Sequence, residues 1–348
     1  HTGTKLKVNN PFLEPQAAPA MYIANHASFL DILAMGMLFP KAIFLVNDWV
    51  WRSPIFGKAI QALGFYPISR GVQGEVDQLR AKLEAGYSFI VFPEGTRSAD
   101  NSLKRFHKGA FYIAHNLQLP VVPVYLHGLG DVLPKNDFLI FNGPLTINVG
   151  ERISPVADLS PTAYVAWAKN ISKYFKQELL SIRRQLEGVD YFKDKLMLAY
   201  RYKDEDIMRA VKKNFMAEKD IYHQLNAHIA AAASLDYVSS SYGEMAFLIS
   251  LQQGQRKVRG ILANAEQCQV AQSIYWTHSR AVSFTSEHTL CNKIVVFAHS
   301  NDFEAYKDET FAAVSELFIL HPQGEYPDLI AAGFLEEHIS PMIRRFTR

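Results

Sequence analysis

The segment Asn25-His26-Ala27-Ser28-Phe29-Leu30-Asp31 sets an imidazole and a carboxylate five positions apart, between an apolar run and a helical pattern. On a continuous helix, five steps of roughly 100° would leave the two side chains about 140° apart. They meet only if His26 precedes the first turn and Asp31 lies inside it. A carboxylate so placed accepts the imidazole Nδ1–H, fixes the tautomer and stabilises the imidazolium. Nε2 is then free to take a proton from a hydroxyl. Taken alone, a His-x4-Asp spacing also fits a local bond at a helix start with Asp31 in solvent.

A second segment, Phe92-Pro93-Glu94-Gly95-Thr96-Arg97-Ser98, follows the strand-like run Ser88–Phe92. Pro93 and Gly95 end the strand in a tight turn. That turn carries a carboxylate, a hydroxyl and a guanidinium, and Arg97 offers a planar fork of donors for phosphate or carboxylate. Backbone N–H groups around Gly95 add to an anion nest. An ordinary strand-to-loop turn with a surface salt bridge is the competing reading. Gly64-Phe65-Tyr66-Pro67-Ile68-Ser69-Arg70 supplies a second arginine, and Lys104, Arg105 and Lys108 extend the basic character beyond the turn. Val121-Val122-Pro123-Val124-Tyr125 reads as an apolar strand whose proline predicts an edge or strand-start position.

The elements that must hold these residues alternate. Ala20–Ala24, Ser88–Phe92 and Val121–Leu126 are short apolar runs suited to buried strands, with helical patterns at Phe29–Leu38, Ser53–Leu63 and Gly74–Glu84. Leu139–Val149 reads as a further strand interrupted by Asn142-Gly143-Pro144. Such alternation predicts an α/β fold with a mixed sheet. Thr162–Leu186 is a long Lys-rich helical pattern that Gly188 would cap, and Asp204–Lys219 is a second, densely charged one. Strand-like Leu235–Val238, Lys257–Leu262, Ala281–Thr285 and Lys293–Ala298 then alternate with helical Glu244–Gln252 and Ala265–Thr277. Two α/β domains are therefore expected, over residues 1–187 and 188–348.

Composition narrows the chemistry. The net charge of +2 divides into +3 over residues 1–155, +3 over 156–221 and −4 over 222–348. A mildly basic first half suits anionic small molecules or an anionic membrane surface, and is too weak to argue for nucleic acid. The two cysteines, Cys268 and Cys291, exclude a disulfide framework and a four-thiolate zinc site. His107, His115 and His127 have no ligand spacing, so no metal is implied. No run of about 18 apolar residues is present. Trp49, Trp51, Phe56, Phe65 and Tyr66, with Lys41, Arg52 and Lys58 nearby, suit an interfacial membrane contact, although Phe56 and Phe65 fit a core better and Trp49 and Trp51 fit it equally well.

In this order and spacing, the His-x4-Asp block, the Gly64–Arg70 block, the Phe92–Ser98 block and the Val-Pro-Val block resemble the glycerolipid and lysophospholipid acyltransferase family, over roughly residues 1–187. The resemblance implies transfer of a fatty acyl group from acyl-CoA or acyl carrier protein to the hydroxyl of a lysophospholipid-like acceptor, with no other cofactor. It implies His26 as general base oriented by Asp31, Glu94, Gly95, Thr96 and Arg97 as acceptor-binding residues, and Arg70 as a phosphate contact. Residue chemistry agrees: the reaction needs a base for the alcohol and donors for the oxyanion. A Gly-x-Ser-x-Gly elbow is absent, so direct attack is expected rather than a serine acyl-enzyme.

Residues 188–348 resemble a class I, SAM-dependent methyltransferase domain, a Rossmann-like α/β fold. In Leu235–Gly243, serines stand at two of the glycine positions of that family's loop, and only Gly243 remains. A Cβ there hinders close approach of a ligand. Ala263 occupies the place of the family's acidic ribose contact, beside Asn264. A degenerate domain with an interaction role is expected, and SAM is not implied. His299 after the fourth strand reads as an ordinary histidine. Together the two resemblances imply a peripheral enzyme on the cytoplasmic side of the membrane. They also suggest a piece of a larger bacterial membrane protein, with which a chain beginning at His1 agrees. The alternatives are a non-catalytic lipid- or acyl-carrier-binding module, and a bifunctional acyltransferase and methyltransferase.

Overall fold

A computed structural model describes residues 5–12, 18–54, 57–68, 73–135, 137, 139–158, 160, 162–275, 282–308 and 313–348. The chain divides into two compact units, His1–Arg183 and Arg184–Arg348.

The first unit has strands β1 (Leu6–Asn9), β2 (Met21–Ala24), β3 (Ala42–Asn47), β4 (Tyr66–Ile68), β5 (Ser88–Val91), β6 (Val121–His127) and β7 (Leu145–Val149). Its helices are α1 (Leu30–Leu38), α2 (Asp48–Trp51), α3 (Gly57–Ala62), α4 (Gln73–Glu84), α5 (Gly109–Asn116), α6 (Leu129–Val132) and α7 (Ala163–Leu186). The sheet order is β1-β7-β6-β2-β5-β3-β4, parallel except between β6 and β7. β2 lies near the middle and is buried on both faces, which is why its four residues form an unbroken apolar run. Met21 and Ile23 pack with Phe89, Phe111 and Phe175 on one side. Tyr22 and Ala24 pack with Met35, Phe39 and Val124 on the other. This alternation anchors the strand whose C-terminal end releases His26.

Pro123 is at neither an edge nor a strand start. It pairs with Ile23 in the interior of β6. The N–H it lacks would point to the β7 side, where regular pairing has stopped: Val121 N–H donates to Ile153 O, and Gly150 N–H donates to Pro123 O. The missing donor therefore costs no ladder bond. The expected strand over 139–149 is confined to Leu145–Val149, because Gly143 and Pro144 break it. Among the described residues, the 53–63 helical pattern yields Gly57–Ala62. Gly188 does not adopt the left-handed conformation a glycine C-cap requires. Gly128 does (φ 85°), and a Cβ there would lie 2.0 Å from Pro144 O, so only glycine fits the turn from β6 into α6.

The second unit has helices α8 (Lys193–Ala199), α9 (Glu205–His228), α10 (Glu244–Gln252), α11 (Ala265–Gln272), α12 (Ser300–Glu304) and α13 (Pro327–Ala331). Its strands are β8 (Ser234–Ser239), β9 (Lys257–Leu262), β10 (Val282–Thr285), β11 (Ile294–Phe297), β12 (Glu316–Leu320), β13 (Leu335–Ser340) and β14 (Ile343–Thr347). The order is β10-β9-β8-β11-β12-β14-β13, with β14 antiparallel to both neighbours. This is a Rossmann-like sheet, and its direction of winding reverses between β8 and β11.

Candidate active site

His26 lies in the loop between β2 and α1, and Asp31 is the second residue of α1. Asp31 is buried, and its Oδ2 accepts three hydrogen bonds: from His26 Nδ1 at 2.9 Å, Ala27 N–H at 2.7 Å and Ser28 N–H at 2.8 Å. One carboxylate oxygen thus folds the loop and holds the ring with Nε2 unengaged by Asp31. The imidazole stacks on Phe92, with centroids 4.1 Å apart. Asn25 pins the start of the loop by exchanging two bonds with the backbone of Leu126. Ser28 is fully buried and its hydroxyl donates to Leu133 O.

The Pro93–Ser98 turn is tied to this loop. Glu94 is buried, its Oε1 accepting from His26 N–H and its Oε2 from Lys104 N–H, each at 2.7 Å. Burial pushes its carboxyl up to about 7, against the opposing pull of those two N–H donors. Ser98 N–H donates to His26 O at 2.7 Å. Gly95 (φ 68°) turns the chain with His107 packed against it, and Thr96 is exposed.

Next to Ser98, the carbonyl of Arg97 accepts from two ammonium groups, Lys104 Nζ at 2.9 Å and Lys135 Nζ at 3.0 Å. The Arg97 guanidinium has no hydrogen-bond partner among the described residues. Burial, then the charges of Lys104 and Arg97, pull the Lys135 ammonium below its ordinary range. The two ammonium groups, with the Arg97 charge near enough to act on Lys135, can cradle an anion. His26 also borders an apolar cavity of about 120 Å³, lined in part by Ile32, Phe44, Val46, Val50, Ile60 and Phe65. The arrangement can hold a phosphate, an apolar chain and a base around one point.

In the second unit, a cavity of about 220 Å³ opens where β8 and β11 diverge, lined in part by Glu218, Tyr237, Ser239, Ser241 and His299. The serine loop satisfies itself: Ser239 Oγ and Ser241 Oγ are 2.8 Å apart, and Ser241 N–H donates to Ser239 Oγ. Asn264 Oδ1 accepts from Gln267 N–H as the N-cap of α11, which occupies the side chain nearest the expected ribose position. His299 caps α12 reciprocally with Asp302. A Cβ at Gly243 would lie 2.6 Å from Phe284, so this glycine serves packing.

Residues 5–127 match the Acyltransferase family model. The N-terminal unit thus carries an acyltransferase family domain. A chloroplastic 1-acyl-sn-glycerol-3-phosphate acyltransferase of Brassica napus is 38% identical over 128 residues, 36% of this chain and 37% of that protein. The chain thus spans little more than a third of the length of such curated relatives. Among solved structures, a 1-acyl-sn-glycerophosphate acyltransferase from Thermotoga maritima aligns with 25% identity and a TM-score of 0.43, over 52% of this chain and 73% of that one. A SAM-dependent methyltransferase from Aquifex aeolicus aligns with 14% identity and a TM-score of 0.30, over 41% of this chain and 97% of that one.

Within the acyltransferase domain, the structure brings together His26, Asp31, Glu94, Gly95 and Arg97. Arg70 lies outside the described residues, as does Phe56. Lys108 lines a groove that shares no lining residue with the His26 cavity. Glu94 faces inward, onto backbone donors. Lys135 escaped sequence reasoning: it reaches Arg97 from 38 positions away, after α6, and no motif marks it. Trp49 is exposed and Trp51 half-buried. Among the described residues no helix is long and apolar enough to cross a membrane.

Proposed function

We propose that this chain transfers a fatty acyl group from a thioester to the hydroxyl of a lysophosphatidate-like acceptor. The observation that carries the reading is the bond between the buried Asp31 carboxylate and His26 Nδ1, beside the cations of Arg97, Lys104 and Lys135. The acceptor phosphate sits in the cationic cradle, and the first few carbons of an acyl chain enter the apolar cavity. His26 Nε2 takes the hydroxyl proton as the oxygen attacks the thioester carbonyl. The C–S bond then breaks, and the departing thiolate takes the proton back from the imidazolium. Asp31 stabilises that imidazolium. General-base assistance of this kind is worth about 10²–10⁴-fold. No acyl-enzyme is needed, and Ser28, buried and committed to Leu133 O, is unsuited to form one. Glu94 acts by holding the His26 loop against the Arg97 turn rather than by touching the acceptor.

The acceptor comes from a bilayer, and we read the domain as peripheral, on the cytoplasmic side. Phe29, Leu33 and Met37 recur every four residues along α1 and are all exposed, as is Trp49. This spacing makes an apolar stripe on one helix face, suited to an interface. We take residues 1–187 as the acyltransferase domain and 188–348 as a degenerate methyltransferase-like domain with an interaction role. The self-satisfied serine loop and the capping use of Asn264 support that second reading. Calorimetry with SAM tests it, micromolar binding being the contrary result.

The function is tested with labelled acyl donor and three acceptors: lysophosphatidate, monoacylglycerol and lysophosphatidylcholine. Lysophosphatidate should be acylated at least tenfold faster than the phosphate-free acceptor, since a charge-assisted phosphate contact is worth about 1.5–3 kcal/mol. Equal rates with monoacylglycerol would contradict the cradle, and no transfer to any acceptor would contradict the reaction.

A further inference from the structure

A groove of about 510 Å³ lies between the Arg105–Lys108 segment and α7. Its floor is apolar, formed by Phe106, Phe111, Val165 and Ala168. Its rim is cationic: Arg105 and Lys108 from the segment, and Lys169, Lys173 and Lys176 from α7. The three lysines follow i, i+4, i+7 spacing, so they stand on one helix face and span about 10 Å. All five cations are exposed, no carboxylate is among the lining residues, and none of the five forms an ion pair with a described residue. Five like charges around an apolar hollow call for an anion that also carries a flat apolar group.

We propose that this groove binds the nucleotide end of acyl coenzyme A, an inference that rests on the acyltransferase reading above. The adenine base covers the apolar floor, while the diphosphate and the ribose phosphate meet the rim. The ribose phosphate, a monoester, carries roughly −1.5 to −2 charges near neutrality, and the doubly esterified diphosphate adds about one per phosphorus, so together these groups approach the opposite of the rim. The cavity volume falls in the range of small-molecule pockets, about 300–1,000 Å³. A lipid headgroup would leave the floor uncovered, and an acidic protein helix would lie across the groove without filling it. The groove is also coupled to the reaction centre. Phe106 belongs to its floor, while the next residue, His107, donates its N–H to Pro93 O at 2.7 Å and packs its ring against Gly95. Gly95 lines the His26 cavity. The segment that walls the groove therefore backs the turn that lines the His26 cavity, and the flexible pantetheine arm connects the two spaces.

The test uses the full chain with Lys169→Glu/Lys173→Glu, and Lys82→Glu on the exposed face of α4 as the control. CoA is titrated by calorimetry, and kcat/KM is measured with decanoyl-CoA and with decanoyl-pantetheine, the same thioester without the nucleotide. At about tenfold per cation, the double variant should bind CoA about 100-fold more weakly. Its preference for the CoA donor over the pantetheine donor should fall by a similar factor, with Lys82→Glu unchanged in both. Unaltered CoA affinity, or equal loss with both donors, would overturn the proposal. So would a loss seen only with acyl carrier protein, or only on phosphatidylglycerol vesicles. If the wild type transferred from no donor, the acyltransferase reading would fall, and the CoA titration would still decide the groove.

Discussion

Replacing Asp31 by Asn removes one negative charge while nearly preserving shape. Oδ2 now accepts from the His26 ring and from the N–H groups of Ala27 and Ser28. An asparagine carbonyl in the same place can accept all three, so the loop keeps its path. What is lost is the attraction between carboxylate and imidazolium, which exists only once His26 has taken the proton. At an effective dielectric of about 20, unit charges about 4 Å apart attract by about 4 kcal/mol. That corresponds to roughly 10³ in rate. We therefore expect kcat to fall about 10³-fold with the acceptor KM within about threefold, because the substrate phosphate never touches Asp31. A continuous assay of released CoA thiol measures both. A kcat within about threefold of wild type, in a variant with an unchanged melting temperature, would refute the argument that this carboxylate stabilises a developing imidazolium.

Three further outcomes follow from the same geometry. Lys135→Ala should raise the lysophosphatidate KM about tenfold and leave monoacylglycerol acylation unaffected, and equal effects on both acceptors would remove Lys135 from the cradle. Burial lifts Glu94 from its ordinary 4.5 to about 7, so the folded chain holds this proton more tightly than the unfolded one. The stability from that proton is full below about 4.5 and lost as the pH rises to about 7; relative to Glu94→Gln, wild type should lose on the order of 3 kcal/mol across that window. A flat difference in urea midpoints would argue against it. Gly128→Ala forces a Cβ onto Pro144 O in a left-handed turn, and should destabilise the first unit by about 2–4 kcal/mol in urea unfolding; an unchanged midpoint would contradict the packing described.

The parts of the site that were legible in the sequence are those whose partners lie within one short stretch. His26 and Asp31 share a single loop-to-helix junction, so their spacing alone dictates how they can meet. The Phe92–Ser98 turn was legible for the same reason. Glu94 was not, because a turn of sequence does not reveal which side chain points inward, and only the folded loop puts two backbone donors on its oxygens. Lys135 was hidden because its position depends on the path of α6 and on one carbonyl of a distant residue. Pro123 misled for a related reason: a proline excludes a central strand only if the neighbour needs its N–H, and here β7 has already let go. Strands β1 and β13 went unseen because their mostly exposed residues lack the unbroken apolar character of β2 or β6, and β14 because Arg344 and Arg345 interrupt its buried Ile343 and Phe346.

The central claim is that His26 removes the proton from a lipid hydroxyl. Single-turnover transfer of a labelled acyl group from CoA to lysophosphatidate, compared between wild type and His26→Ala, tests it most directly. We predict a loss of at least 10²-fold in the chemical step, with CoA affinity and circular dichroism unchanged. A folded His26→Ala protein that completes the turnover at the wild-type rate would contradict it.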